Sequence, residues 1–104
     1  MHHDASLNIR QLQVFEAVAR LESYSRAQQE LGISVSAISN AMSQLEGQLG
    51  FILCQRGRGG FSLTEKGQQF LQQAIRVLSE LNELERQSAL LKGGTAAPCA
   101  SRRS

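Results

Sequence analysis

The sequence predicts a mainly α-helical chain, in which three short helices are followed by a two-stranded hairpin and then by one long helix. Apolar residues recur every three or four positions through most of the sequence, which is the spacing of helices with one apolar face. A single stretch rich in strand-forming residues precedes a glycine-rich turn. The apolar repeat then resumes and continues to a pair of glycines near the end of the chain.

The first helix is predicted over residues 9–21. Either Asn8 or Ser6 can cap its start, because both side chains accept a hydrogen bond from a free backbone N–H group. The apolar face of this helix consists of Leu12, Phe15, Val18 and Ala19.

A second, shorter helix is predicted over residues 25–31, after a break at residues 22–24. Ser25 and Gln28 have the spacing of a capping box, in which each side chain bonds the backbone N–H of the other residue. Gly32 follows directly and suits the left-handed conformation that ends many helices.

The third helix is predicted to begin at Ser34 or Val35 and to end at Leu49, just before Gly50. One face is apolar and consists of Ile38, Met42, Leu45 and Leu49. The opposite face is made of neutral polar residues, namely Ser36, Ser39, Asn40, Ser43 and Gln44.

A hairpin and a long helix follow. Residues 51–56 and 61–63 are predicted as strands around a turn at residues 57–60. Thr64 is predicted to cap a helix that reaches residue 92, a rod of about 40 Å. Its apolar seam has the spacing of a coiled coil and consists of Phe70, Ala74, Val77, Leu81, Leu84 and Leu91, with Ser88 as a weak member, beside a second stripe of Leu71, Ile75 and Leu78.

Composition excludes several classes of protein. A chain of 104 residues, 41% of them apolar, is long enough for one domain. Its longest apolar run, residues 51–54, is too short to cross a bilayer, and the N-terminus lacks the features of a secretory signal. Cys54 and Cys99 lie too far apart, without clustered histidines, to predict a disulfide framework or a zinc site. We therefore expect a soluble intracellular protein without a metal or cofactor.

The sequence gives no support to an enzyme. It contains no recognisable pair of nucleophile and base, and the glycines at residues 57–60 lack the lysine and hydroxyl residue of a nucleotide-binding loop. The net charge is only +2, but the positive excess begins at this turn and continues through the second half of the chain. A local basic region can contact phosphate even when the whole molecule is nearly neutral.

Two short helices joined by a tight turn and followed by a hairpin define a winged helix-turn-helix. A helix fits the major groove of DNA, while the preceding helix and the wing fix its angle from the phosphate backbone. The small polar face of the third helix suits this role, because it permits close approach and offers groups that hydrogen-bond base edges. A helix face exposed only to solvent would look the same, so the pattern alone leaves both interpretations open.

Residues 9–67 resemble the DNA-binding domain of the LysR-type transcriptional regulators. The blocks that carry the resemblance follow one another without insertion or deletion, and they are Arg10-Gln11-Leu12, Phe15, Val18-Ala19, Ser23-Tyr24-Ser25-Arg26-Ala27, Leu31, Ser34, Ala37-Ile38-Ser39, Gln44-Leu45-Glu46, Leu49-Gly50, Leu53, Arg56 and Leu63-Thr64-Glu65-Lys66-Gly67. The resemblance implies a bacterial, cytoplasmic regulator that binds double-stranded DNA. It also implies a homodimer paired through the seam of the long helix, and hence a pseudo-palindromic operator.

The resemblance also organises the chain into segments. Residues 7–63 are expected to form the DNA-binding domain, and residues 64–92 the linker helix that dimerises. Residues 1–6 and 93–104 are expected to be a disordered leader and tail, since they are small, polar and without apolar periodicity. The effector-sensing domain of the family is expected to be absent, so no small-molecule ligand is expected within this chain.

The candidate DNA-binding residues are Ser25, Arg26, Val35, Ser36, Ser39, Asn40, Ser43, Arg56 and Arg58. Asn40 stands where the family commonly has arginine, and its neutral amide can pair with adenine through two hydrogen bonds. Because the third helix carries no positive charge, phosphate anchoring is expected from the three arginines of the set. Arg56 has an alternative, in which it packs against the hairpin and pairs with Glu46 or Glu65.

Two other interpretations stay open. The chain would act as a sensor-less pairing module if it formed heterodimers with full-length regulators and disabled them, which the uncharged third helix allows. A different winged-helix family is the other alternative, and residues 63–67 argue against it.

Cys54 is predicted to be a small buried hydrophobic residue rather than a redox sensor, because no charged residue adjoins it.

Overall fold

The computed structural model describes residues 7–57 and 59–93, which form four helices and one hairpin. In chain order the elements are α1 (Ile9–Leu21), α2 (Tyr24–Leu31), α3 (Val35–Leu49), β1 (Cys54–Gly57), β2 (Gly60–Leu63) and α4 (Glu65–Gly93). The predicted leader, Arg58 at the turn, and residues 94–104 of the predicted tail lie outside the described residues. The mainly α-helical fold with a two-stranded wing is confirmed.

The start of α1 and both ends of α3 lie where the sequence predicts them. The Asn8 side chain accepts a hydrogen bond from the Gln11 N–H at 2.9 Å, and the Gln11 side chain accepts one from the Asn8 N–H at 3.2 Å. Ser34 caps α3 by accepting from the Ala37 N–H at 3.0 Å, and Gly50 ends it in the left-handed conformation. These polar contacts stabilise the ends of the helices that position the α3 surface.

The start of α2 differs from the prediction. Only Glu22 and Ser23 lie between the two helices, and Glu22 ends α1 in a left-handed conformation (φ 55°). Ser23 accepts a hydrogen bond from the Arg26 N–H at 3.1 Å and is therefore the cap. Ser25 lies inside the first turn of α2, so the predicted capping box of Ser25 and Gln28 is wrong.

The core lies between α1, α2 and α3. Its largest fully buried side chains are Phe15, Val18, Ile38, Met42, Leu45 and Leu53. The first part of α4 packs against the same cluster, where the Phe70 ring lies 5.7 Å from that of Phe15 and Ala74 is 2% exposed. These two members of the predicted dimer seam are therefore occupied within the chain itself.

The wing is shorter than predicted, because its first strand begins at Cys54 instead of residue 51. In the antiparallel pair Cys54 lies opposite Leu63, and Gly57 lies opposite Gly60. The backbone before Cys54 is not paired with either of the two described strands. Instead, the Leu53 N–H donates a hydrogen bond to the Glu46 carboxylate at 2.8 Å. Residues 51–53 therefore belong to the core and lead into the wing.

Thr64 joins the wing to α4. Its N–H donates to the Leu53 carbonyl at 2.9 Å and its hydroxyl to the Ile52 carbonyl at 2.6 Å. The same hydroxyl oxygen accepts from the Gly67 N–H at 2.9 Å, which is the predicted cap of α4. The second strand of the wing and the long helix are thus fixed to the same buried segment.

The helix α4 extends beyond the core. Its 29 residues correspond to about 44 Å at 1.5 Å per residue. Ile75, Val77, Leu84, Leu90 and Leu91 are all exposed, and Leu84 retains 61% of its accessible surface. Among the helices that the structure describes, none combines the length and apolar character required to cross a membrane.

Gly67→Ala is expected to destabilise the fold by about 2–3 kcal/mol. A Cβ at this position would lie 2.0 Å from the Leu53 carbonyl oxygen, so α4 would have to move away from the start of the wing. Urea denaturation followed by circular dichroism measures the change in the free energy of unfolding.

Gly47→Ala is the matched control for this prediction. Gly47 lies within α3, and the space that a Cβ would occupy there is open, with no neighbouring element within 4 Å. Alanine at this position is expected to stabilise the helix by about 0.5–1 kcal/mol. Equal unfolding free energies for the two variants would contradict the close approach at Gly67.

Candidate nucleic-acid interface

The outward face of α3 carries the predicted base-contacting residues. Ser36, Asn40 and Ser43 are exposed and follow one another at intervals of four and three, so they share one side of the helix. Ser39 and Val35 are half-buried beside them. The other side of α3 is held in the core by its apolar residues, so this polar face points away from the protein.

The α3 face is electrically neutral. Glu46 is the one ionisable residue between Val35 and Leu49, and its carboxylate is bonded to the Leu53 N–H. Hydroxyl and amide groups therefore determine what this face can bind. Such groups donate and accept hydrogen bonds in defined directions, as base edges require, but they add no charge for phosphate.

The start of α2 adds a second polar surface next to α3. Ser23 is committed to the cap, whereas Ser25 and Arg26 are exposed in the first turn. The backbone N–H groups and the positive end of the helix dipole at such a position favour an anion. Arg26 adds a full positive charge at the same end.

Arg56 lies on β1 at the side of the wing that faces the start of α2. Its guanidinium carbon is 4.3 Å from the centroid of the Tyr24 ring, which is a cation–π contact. The alternative ion pair with Glu46 or Glu65 is not found among the described residues. The structure thus brings Arg56 close to Ser25 at the start of α2, although the two segments are distant in sequence.

Cys54, the first residue of β1, lies next to the Tyr24 side chain on which Arg56 stacks. Its Sγ is 3.9 Å from the Tyr24 hydroxyl oxygen, and burial raises the pKa of the thiol above its usual value. Burial also raises the pKa of Tyr24 to about 12, with the neighbouring thiol as the next cause. A half-buried thiol that stays protonated is in line with the prediction that Cys54 acts as a small hydrophobic residue.

Sequence reasoning missed Tyr24, which it placed in the break between helices. The structure makes it the first residue of α2 and inserts its ring between α2 and the wing. The one signal in the sequence was that an aromatic residue directly precedes the predicted second helix, and it did not indicate the contact with Arg56. Arg58 was predicted to enter the minor groove or to contact phosphate; it lies outside the described residues, so that role stays a prediction.

A three-helix core that projects a neutral polar helix next to a wing is the arrangement of a winged helix-turn-helix protein, a class of DNA-binding proteins. The sequence profile of the bacterial regulatory helix-turn-helix proteins of the lysR family matches residues 9–68. The chain belongs to this family, as the resemblance in the sequence indicated.

Named relatives are regulators of transcription. The activator BauR of Pseudomonas aeruginosa is 42% identical over 77 residues, which cover 74% of this chain and 25% of that protein. The regulator CfxR of Cupriavidus necator is 41% identical over 80 residues, covering 77% and 25%. The RuBisCO operon transcriptional regulator of Allochromatium vinosum is 40% identical over 87 residues, covering 84% and 29%. The chain thus spans between a quarter and a third of the length of these relatives.

Solved structures show the same fold bound to DNA. The DNA-binding domain of CbnR in its DNA complex superposes with a TM-score of 0.76 at 32% identity, covering 84% of this chain and 100% of that one. The DNA-binding domain of BenM in complex with the catB site 1 DNA gives a TM-score of 0.81 at 29% identity, covering 86% and 100%. The winged helix with a long C-terminal helix is therefore the LysR DNA-binding fold.

Ser23→Ala is expected to destabilise the chain by about 1 kcal/mol, because it removes the acceptor for the Arg26 N–H. Ser25→Ala, two residues further on, is expected to change the free energy of unfolding by less than about 0.5 kcal/mol. Thermal unfolding of both variants measures the difference. A larger loss for Ser25→Ala would restore the cap that the sequence predicted.

Proposed function

We propose that this chain binds double-stranded DNA sequence-specifically, as the DNA-binding part of a bacterial transcriptional regulator that acts in the cytoplasm. The observation that carries the proposal is the exposed, neutral hydrogen-bonding face of α3, flanked by cationic residues on α2 and the wing. Residues 7–63 would form the domain that binds DNA, and residues 64–92 the linker helix.

Base recognition falls to α3. An α-helix fits the major groove, and Ser36, Ser39, Asn40 and Ser43 offer hydroxyl and amide groups along the side that would enter it. The Asn40 amide can accept a hydrogen bond from N6 of adenine and donate one to N7 at the same time, a bidentate contact that other bases do not satisfy. Val35 supplies an apolar surface at the helix start, suited to a thymine methyl group.

Phosphate anchoring falls to residues outside α3. Arg26 at the start of α2 and Arg56 on the wing are both exposed, and Arg58 is proposed as a third contact at the turn. Contacts to phosphate fix the orientation of the protein on the duplex without selecting a sequence. Affinity and specificity are thus assigned to different residues.

Dimerisation is proposed through α4. Phe70 and Ala74 are occupied in the core, so the part of the seam that remains for a partner begins at Val77, where Val77, Leu84 and Leu91 are exposed and Leu81 is half-buried. Exposed apolar side chains at coiled-coil spacing are stabilised when a second copy covers them. Two copies would present two α3 helices, and a pseudo-palindromic operator with half-sites about one helical turn apart, or a multiple of it, is expected.

The direct test is selection from a random duplex library at a fixed, stated salt concentration. A regulator of this kind is expected to enrich one motif with two-fold symmetry. Retention of all sequences alike would reject sequence-specific binding. Enrichment of a single half-site without symmetry would keep α3 as the reader and reject the dimer.

Asn40→Ala is expected to weaken binding to the selected motif by about 1–3 kcal/mol and to relax preference at one base pair, because the bidentate contact is lost. Fluorescence anisotropy with the motif and with single-base variants of it measures both effects. Gln72→Ala removes an exposed amide from α4 and is expected to leave binding unchanged. A loss for Asn40→Ala that is the same on random duplex would contradict base readout by Asn40.

Leu84→Glu is expected to convert the dimer to a monomer without unfolding it. Leu84 is 61% exposed in the single chain, but a charge there would be buried and unpaired between two α4 helices. Multi-angle light scattering gives the mass, and Gln72→Glu is the control with the same added charge. A Leu84→Glu protein that keeps the dimer mass would place the interface elsewhere.

A further inference from the structure

Tyr24 occupies a position between the two elements that are proposed to anchor phosphate. Its ring is half-buried, as the first residue of α2, and the exposed guanidinium of Arg56 from β1 lies 4.3 Å from the ring centroid. Its hydroxyl is 3.9 Å from the Cys54 Sγ, two residues before Arg56. One aromatic side chain thus connects the helix-turn-helix to the wing.

The ring itself is held in place. Ser23 caps α2 immediately before Tyr24, so the backbone there is fixed by the hydrogen bond to Arg26. Cys54 pairs with Leu63 at the base of the wing, which fixes the backbone on the other side of the ring. A ring packed between two ordered elements provides a rigid surface for Arg56.

Arg56 would otherwise be a long, exposed side chain with many conformations. Ordering such a side chain costs conformational entropy, which binding must offset if the free side chain is mobile. Stacking on a fixed ring reduces this cost in advance and leaves the N–H groups at the edge of the guanidinium directed outward. In the described part of the chain no ion pair with a carboxylate competes for these groups.

The stacked pair borders an open hollow of about 250 Å³ between α2 and the wing. Its other lining residues are Glu22, Ser23, Ser25, Gly60 and Phe61. The hollow keeps the guanidinium edge accessible from outside the protein. Glu22 contributes one negative charge to its rim, so the positive charge of Arg56 is what makes this place attractive to phosphate.

We propose that Tyr24 is a positioning residue for DNA binding, which holds Arg56 by cation–π stacking in the conformation that contacts a backbone phosphate. This role rests on the proposed function, since it assigns Tyr24 to the same interface. Tyr24 itself touches no base, so it contributes equally to all sequences. Its aromatic face is required, whereas its hydroxyl is not.

The test is a double-mutant cycle on the whole chain, with the selected duplex and a random duplex of equal length over a series of salt concentrations. Tyr24→Leu is expected to weaken binding to both duplexes by roughly three- to tenfold and to flatten the salt dependence, whereas Tyr24→Phe binds as the wild type does. In the Arg56→Ala background, Tyr24→Leu is expected to change binding by less than about twofold, because the side chain it positions is absent.

Two outcomes would overturn the role of Tyr24. Binding by Tyr24→Leu equal to that of the wild type would show that Arg56 needs no support. An undiminished loss in the Arg56→Ala background would assign the effect to the structure of α2 instead. A wild-type chain that binds neither duplex would overturn the proposed function itself, and this role with it.

Arg56→Lys tests the same contact without altering the core, because Arg56 is exposed. Lysine keeps the charge but cannot lie flat on the ring or offer the planar set of donors. Binding close to that of Arg56→Ala is the expected result even if Tyr24→Leu proves to be poorly folded. If Arg56→Lys binds DNA as tightly as the wild type does, a positive charge at this position suffices for phosphate binding, and stacking on the Tyr24 ring is not required.

Discussion

The close approach of α4 to the segment before the wing is the contact on which the remaining structure depends. Gly67 faces the Leu53 carbonyl with no room for a side chain, and Thr64 bonds the same backbone. Leu53 is itself fully buried, and Glu46 of α3 bonds its N–H. The end of α3, the base of the wing and the start of α4 therefore meet within a few residues and cannot move independently.

This junction explains how a small domain fixes the orientations of α3, the wing and α4 relative to one another. The core fixes the angle of α3, the junction fixes the wing beside it, and α4 leaves in a direction set by Phe70 and Ala74. In the proposed dimer the direction of α4 determines where the second α3 lies. The spacing of half-sites would then follow from packing inside one chain together with the pairing of two α4 helices.

The neutral character of α3 bears on the proposed binding of DNA, because it separates the residues proposed to read bases from those proposed to bind phosphate. Charge supplies most non-specific affinity for DNA and depends strongly on salt, whereas directed hydrogen bonds to bases do not. With Glu46 bonded to the backbone and no basic residue on α3, electrostatic attraction is left to α2 and the wing. In the proposed complex with DNA, the contact between Tyr24 and Arg56 would then matter more than it would beside a basic α3.

The sequence alone determined the order of the helices, the presence of the hairpin and the family, because apolar spacing, Asn8, Ser34, Gly50 and Thr64 act over a few neighbouring residues. It misplaced the cap of α2, since Ser23 and Ser25 are both suitable and only the end of α1 at Glu22 selects between them. It assigned Phe70 and Ala74 to a partner and overlooked Tyr24 for one shared reason. Periodicity shows that a side chain is apolar or aromatic, but only the tertiary packing decides whether its neighbour is the chain's own core, the wing or open surface.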